Sequence, residues 1–262
     1  MNPQVRRIAA HGASSTVVTL ALTLGVAGCS TAGGAPANEP IRHTVVVLAA
    51  SSLTESLTAI AKDFEAGHPG TDIQLSFAAS STVVTQVNQG APADLIALAG
   101  TSAAVPLDKS RIAKDGTRSM AGNTLEIATP PSNPGEVNAI SDLSRPTLKV
   151  VLCAATVPCG NAAAKALALA GVVAHVVSYE TDVKATLAKV QLGEADAAIV
   201  YHSDVASAGV RVRGVQIPAS VNQTLSYPLI RLTDDPTTFA FMTYVLSDQG
   251  RKRLRDNGFL TP

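Results

Sequence analysis

Short β-branched apolar runs recur along this chain, each followed by a turn of small or hydroxylated residues and then a helical stripe. Residues 44–50, Thr-Val-Val-Val-Leu-Ala-Ala, form the first run, continuous enough for a strand buried on both faces. Leu53, Leu57, Ile60, Ala61 and Phe64 then share one helical stripe that stops at His68-Pro69-Gly70, with Ser52 and Glu55 spaced as a capping box. Strands follow at 72–78 and 94–98, with a helix through Val83, Val84 and Val87 between them and another expected over 103–112. After a polar break at 116–123, a second set places strands at 125–129, 148–154, 175–179 and 197–201, with helices at 161–169 and 182–192. A strand at 228–232 and one last helix from Pro236 to about residue 254, capped by Asp234 and Asp235, complete the pattern. Repeated strand–turn–helix units imply α/β architecture with mostly parallel sheets flanked by helices. Two sets spanning roughly 220 residues favour two lobes over one domain.

Composition removes several classes of function. The 262 residues carry 20 basic and 20 acidic side chains, and only 3% are aromatic. Zero net charge argues against a nucleic-acid binder, which needs a basic footprint, and the missing rings argue against recognition by stacking. No Walker A motif, no Gly-x-Gly-x-x-Gly after the first strand and no Gly-x-Ser-x-Gly elbow occurs, so ATP, dinucleotides and acyl-enzyme chemistry have no cradle. His43, His68, His175 and His202 form no metal-ligand spacing. Asp94, after Ala91-Pro92-Ala93, reads as a strand-start acid that ties a loop down rather than as a catalytic acid.

The N-terminal 28 residues read as a secretory signal: Arg6-Arg7, an apolar run from Thr16 to Ala27, then Gly28. Val26-Ala27-Gly28-Cys29 resembles the bacterial lipobox, in which Cys29 is lipidated; an ordinary signal with an incidental cysteine is the alternative. Residues 29–42, rich in Gly, Ala and Pro, read as the lipidated N-terminus and a flexible tether. Removing the signal leaves 234 residues with 18 basic and 20 acidic side chains. With Cys29 assigned to the anchor, Cys153 and Cys159 remain in an oxidising compartment, where an even pair is expected as a disulfide; two free buried thiols are the other reading.

Ligands of open α/β sheets bind beyond the carboxyl ends of the strands, and here those turns share one chemistry. They hold Ser51-Ser52, Ser80-Ser81-Thr82, Ala99-Gly100-Thr101-Ser102, Cys159-Gly160-Asn161, Asp182-Val183 and Tyr201-His202-Ser203, with Lys184 the one adjacent cation. Unpaired amides at helix N-termini make anion sites, so the set reads as a cage of neutral donors; for any single serine, simple N-capping is the competing role.

The segments 45–54, 76–82, 90–95, 122–125, 157–160, 199–204 and 239–259 resemble, in order, the periplasmic molybdate-binding proteins of ABC importers. The resemblance runs from Thr44 to the C-terminus. It implies a two-lobed periplasmic binding protein fold of type II, with residues 43–122 and 216–262 in one lobe and 123–215 in the other. It also implies no enzymatic activity and no cofactor. The partners implied are molybdate, or tungstate, and the membrane permease and ATPase subunits of an importer. Membrane attachment is expected through the lipid anchor on the outer face of the cell membrane, with no nucleic acid bound and a monomer as the expected state. By position, Ser52 and Ser80 match serines that donate to the oxyanion, and Ala99, Cys159 and Val183 match backbone amide donors. Tyr201 matches the tyrosine whose hydroxyl closes the cage. Cys159 stands where alanine is more usual and His202 where a small residue is common.

Molybdate at neutral pH is a tetrahedral dianion with acceptors only, so donors alone satisfy it. Hydrogen phosphate carries a proton that needs an acceptor, and none of the six placed contacts is an acid. Such a mismatch costs roughly 1–3 kcal/mol. Sulfate is excluded only by size. The alternatives are another oxyanion, such as sulfate or thiosulfate, on the same fold, and an anchored serine hydrolase.

Overall fold

The computed structural model describes residues 43–261. The signal segment, Cys29 and the tether all lie outside the described residues.

β1 (His43–Ala50) buries Val45 and Val47, then every residue from Leu48 to Ala50, because parallel neighbours pair with it on both edges. A 3-10 turn (Ser51–Leu53) leads into α1 (Thr54–Gly67), whose buried stripe contains Leu57, Ile60, Ala61 and Phe64. β2 (Thr71–Ala78), α2 (Ser80–Asn88) and β3 (Leu95–Ala97) follow. Asp94 accepts the Val46 amide at 2.8 Å, which pins the start of β3 to β1. β4 (Thr117–Thr129) leads to the second set: β5 (Val150–Cys153), α3 (Pro158–Ala170), β6 (Val176–Glu180), α4 (Val183–Gln191), β7 (Ala197–Tyr201) and α5 (His202–Ala208). β8 (Arg213–Gln216), β9 (Thr224–Arg231), α6 (Pro236–Val245) and α7 (Asp248–Asp256) complete the chain.

The strands form one path, β2-β1-β3-β9-β4-β7-β5-β6, with β8 also on β4. Each end of the path is a parallel trio, β2-β1-β3 and β7-β5-β6. Antiparallel β9 and β4 join the trios. The first part of β4 pairs with β9 through Thr124↔Thr224, and from Leu125 onward it pairs with β7 and β8. This is the expected α/β architecture with mostly parallel trios. Among the described residues no helix is long and apolar enough to cross a membrane.

Several local expectations are corrected. The polar break at 116–123 is strand: Thr117–Arg118–Ser119 lies exposed on an antiparallel pairing, where one face can stay wet and the sequence need not be apolar. The helix over 103–112 is instead two 3-10 turns, Thr101–Ala104 and Lys109–Arg111, with Pro106 between them removing a donor and clashing with a continuing helix. The final helix is two, broken at Leu246-Ser247. Ser247 caps the second helix by accepting from the Gly250 amide at 3.4 Å, and the close approach requires glycine at 250, since a Cβ there would collide with the Tyr244 and Val245 carbonyls of α6. Asp235 caps α6 through the Thr238 amide at 2.8 Å, while Asp234 pairs with Arg231 at 2.7 Å. No capping box forms at Ser52 and Glu55, because the 3-10 turn places Ser52 inside the element rather than before it.

Candidate functional site

Six parallel strands end toward one small cavity. It is lined by Ser51 and Ser52 after β1, Ala79 and Ser80 after β2, Ala99 after β3, Pro158 and Cys159 after β5, Asp182 and Val183 after β6, and Tyr201 at the end of β7. All six residues expected to contact the ligand, Ser52, Ser80, Ala99, Cys159, Val183 and Tyr201, therefore line the same space. The centre of a water-sized sphere has about 10 Å³ to move in, against roughly 300–1,000 Å³ for organic-ligand pockets. The room suits a small ion.

The walls are made of helix starts that lack capping side chains. Ala50, Ala79 and Val157 occupy the N-cap positions of the Ser51–Leu53 turn, α2 and α3, and none offers a side-chain acceptor. Ordinary helices place Ser, Thr, Asp or Asn there. Ser52 and Ser80 sit one position or more inside their turns, so simple N-capping does not account for them. At α4 the pattern differs. Asp182 caps the turn by accepting from the Lys184 and Ala185 amides at 2.8 and 3.0 Å, which leaves Val183, the first helical residue, as the amide no capping side chain takes. Each uncapped start presents N–H groups and a partial positive charge.

Three hydroxyls add to the amides. Tyr201 is buried, and its hydroxyl, close to that of Tyr227, makes no well-aligned hydrogen bond among the described residues. Burial, reinforced by Tyr227 and Asp204 nearby, raises its pKa well above the ordinary phenol value, so it remains a donor. Ser80 Oγ accepts from the Ala99 amide at 2.8 Å. The Ala99 N–H is thus engaged by Ser80, which leaves the Ser80 hydroxyl hydrogen free to turn toward the cavity that both residues line. Ser52 Oγ lies 3.0 Å from the buried Tyr227 hydroxyl. Tyr227, inside β9, escaped the sequence reading; as one of four tyrosines in a ring-poor chain it carried a signal.

Cys153 and Cys159 are disulfide-bonded, with Cα atoms 5.8 Å apart, so the end of β5 is tied to the first turn of α3. Gly160 is required beside it, because a Cβ would collide with the carbonyls of Cys153 and Ala154. Lys184 does not face the cavity. Its ammonium reaches Glu55 of α1 at 2.7 Å and Asp204 of α5 at 3.1 Å. Burial opposes its charge, but the two carboxylates outweigh that and raise its pKa. Burial also raises Asp204, to about 6, against the pull of Lys184. His202 has a structural partner: its Nδ1 lies 2.6 Å from Glu126, whose other oxygen accepts from Gln216 at 2.8 Å. Among the described residues no Lys, Arg or His lines the cavity, and one acid does, the capping Asp182.

The donor-walled cavity thus lies at the carboxyl ends of two parallel trios. A family model described as bacterial extracellular solute-binding protein matches residues 45–260, and the chain belongs to that family. Within it, the molybdate-binding protein ModA of Mycobacterium tuberculosis is 34% identical over 96% of this chain and 98% of its own length. The periplasmic molybdate-binding protein of Azotobacter vinelandii superposes with a TM-score of 0.74 at 17% identity, covering 83% of this chain and 99% of that one. The sulfate-binding protein SubI of M. tuberculosis superposes at 0.73 with 19% identity over 83% and 86%. Both superpositions speak to the fold.

Proposed function

We propose that this protein captures molybdate, and also tungstate, between two lobes outside the cytoplasmic membrane and delivers it to the permease and ATPase of an ABC importer. Residues 43–122 and 216–262 form one lobe and 123–215 the other, so that closure assembles the cage and opening dismantles it. Cys29 carries the lipid anchor, and the protein acts as a monomer. Ser52, Ser80 and Tyr201 donate hydroxyl hydrogens, and Cys159 and Val183 donate amides.

The observation that carries this reading is the Tyr201 hydroxyl, buried and unpartnered in a wall of uncapped helix starts with no cation. An orphaned buried donor costs stability unless a ligand takes it. Neutral donors also suit a carrier that must release its cargo.

Thermal melting of the mature body with molybdate, tungstate, sulfate and phosphate in turn is the test. Anion at 100 times its dissociation constant adds ~2.7 kcal/mol, a rise on the order of 5–10 °C for a chain this size. Molybdate and tungstate should give that shift and phosphate none. A chain that ignores molybdate, or that responds to sulfate more strongly, overturns the assignment.

A further inference from the structure

Resting on the oxyanion reading, we infer that Asn123 and Tyr227 are positioning residues that fix Ser52 as a hydrogen donor and so set the cavity against protonated oxyanions. The chain of bonds begins at two backbone amides. Thr124 N–H and Ser203 N–H both donate to Asn123 Oδ1, at 3.0 and 3.4 Å. Flipping the amide would set its NH₂ against both donors, so its orientation is determined. Nδ2 therefore donates to Ser203 Oγ at 2.8 Å and to Tyr227 Oη at 3.2 Å.

Tyr227 has accepted a bond and must place its own hydrogen. Two oxygens stand beside it, Ser52 Oγ at 3.0 Å and the Tyr201 hydroxyl; Tyr201 makes no well-aligned bond, so the hydrogen goes to Ser52, and burial, raising the phenol's pKa, keeps it in place. Ser52 Oγ, now an acceptor from behind, turns its hydrogen to the cavity it lines. Asn123, Ser203 and Tyr227 are fully buried and Ser52 nearly so, so no water competes for these bonds and their polarity is held in a low-dielectric interior.

Ser80 is set the same way by the Ala99 amide. Both serines thus face the guest hydrogen-first. Molybdate and sulfate, with acceptors only, match this wall. Hydrogen phosphate must donate, and each serine oxygen already accepts one bond and turns its hydrogen, not its remaining lone pair, to the guest.

The test compares wild type with Tyr227→Phe, which keeps the ring and frees the Ser52 hydroxyl to turn. Calorimetric titration with molybdate and with sulfate, and competition of phosphate against molybdate at pH 7.5, are measured on both. The expected result is that molybdate and sulfate weaken together by about tenfold, the size of one orienting hydrogen bond, while phosphate does not weaken. The molybdate-to-phosphate ratio then falls by about that factor. Asn123→Ala, which releases Tyr227 to turn, should shift the ratio the same way and stands in if the first variant does not fold. An unchanged ratio in both relay variants, all anions weakening alike, overturns the inference and leaves the oxyanion reading standing. Failure of wild type to bind molybdate overturns that reading itself.

Discussion

Replacing Lys184 with Met tests the electrostatics that hold α1, α4 and α5 together beside the cavity. In the native protein the ammonium is shared between Glu55, whose side chain is 39% exposed, and Asp204, which is 0% exposed. Asp204 carries the effect. Its pKa stands at about 6 in the folded protein against 3.8 unperturbed, so ionising it costs the fold about 3 kcal/mol, accrued as pH rises from about 4 to 6. Stability from this group is therefore highest below pH 4 and falls through the folded pKa. Without Lys184, burial and the Glu55 charge are opposed only by the Tyr201 amide, the folded pKa climbs further, and the falling limb extends toward the neutral range. Unpaired buried charges cost ~3–5 kcal/mol, so Lys184→Met should lose about that much at pH 8 and visibly less at pH 5, where Asp204 is largely protonated in both proteins. Urea unfolding of wild type and variant at pH 5, 6, 7 and 8 reads the gap directly. Lys184→Met with Asp204→Leu should recover most of the loss, since an apolar pair can replace a buried ionic one. A gap independent of pH, or one below about 1 kcal/mol at pH 8, refutes this account.

Tyr201→Phe should weaken molybdate by tenfold or more, the worth of ~1.5–3 kcal/mol for a bond to a charged acceptor. It should leave anion-free stability unchanged or slightly raised, because the hydroxyl it removes has no partner; calorimetry and melting separate the two effects. Removing the disulfide with Cys153→Ser and Cys159→Ser opens a loop between positions six residues apart, which should cost about 2 kcal/mol in chemical unfolding; equal midpoints for the two forms would contradict it. Gly160→Ala should displace the start of α3, lowering the melting temperature through a loss of about 1–3 kcal/mol and weakening anion binding with it, because its Cβ meets backbone carbonyls that cannot rotate away.

Much of the architecture was legible along the chain. Buried parallel strands such as β1 and β7 are apolar without interruption, and α1 displays its core stripe at helical spacing, because local chemistry and burial agree there. β4 was not legible in its first half: paired antiparallel and half-exposed, it needs no apolar signature. The split between α6 and α7 was hidden for another reason, since the need for Gly250 arises only when the two helices meet. At the site, the residue types and their places after strands pointed to a cage of neutral donors. What each donor does was decided in three dimensions. The Ala99 amide turns back to Ser80 because β3 and α2 bring them within 2.8 Å across 19 residues of chain. Ser52 acquires its polarity from Tyr227, 175 residues away. The sequence by itself determined which groups can donate, a matter of residue chemistry and helix starts. Only the tertiary structure decided which way each hydrogen points, because that depends on partners that folding draws from distant strands.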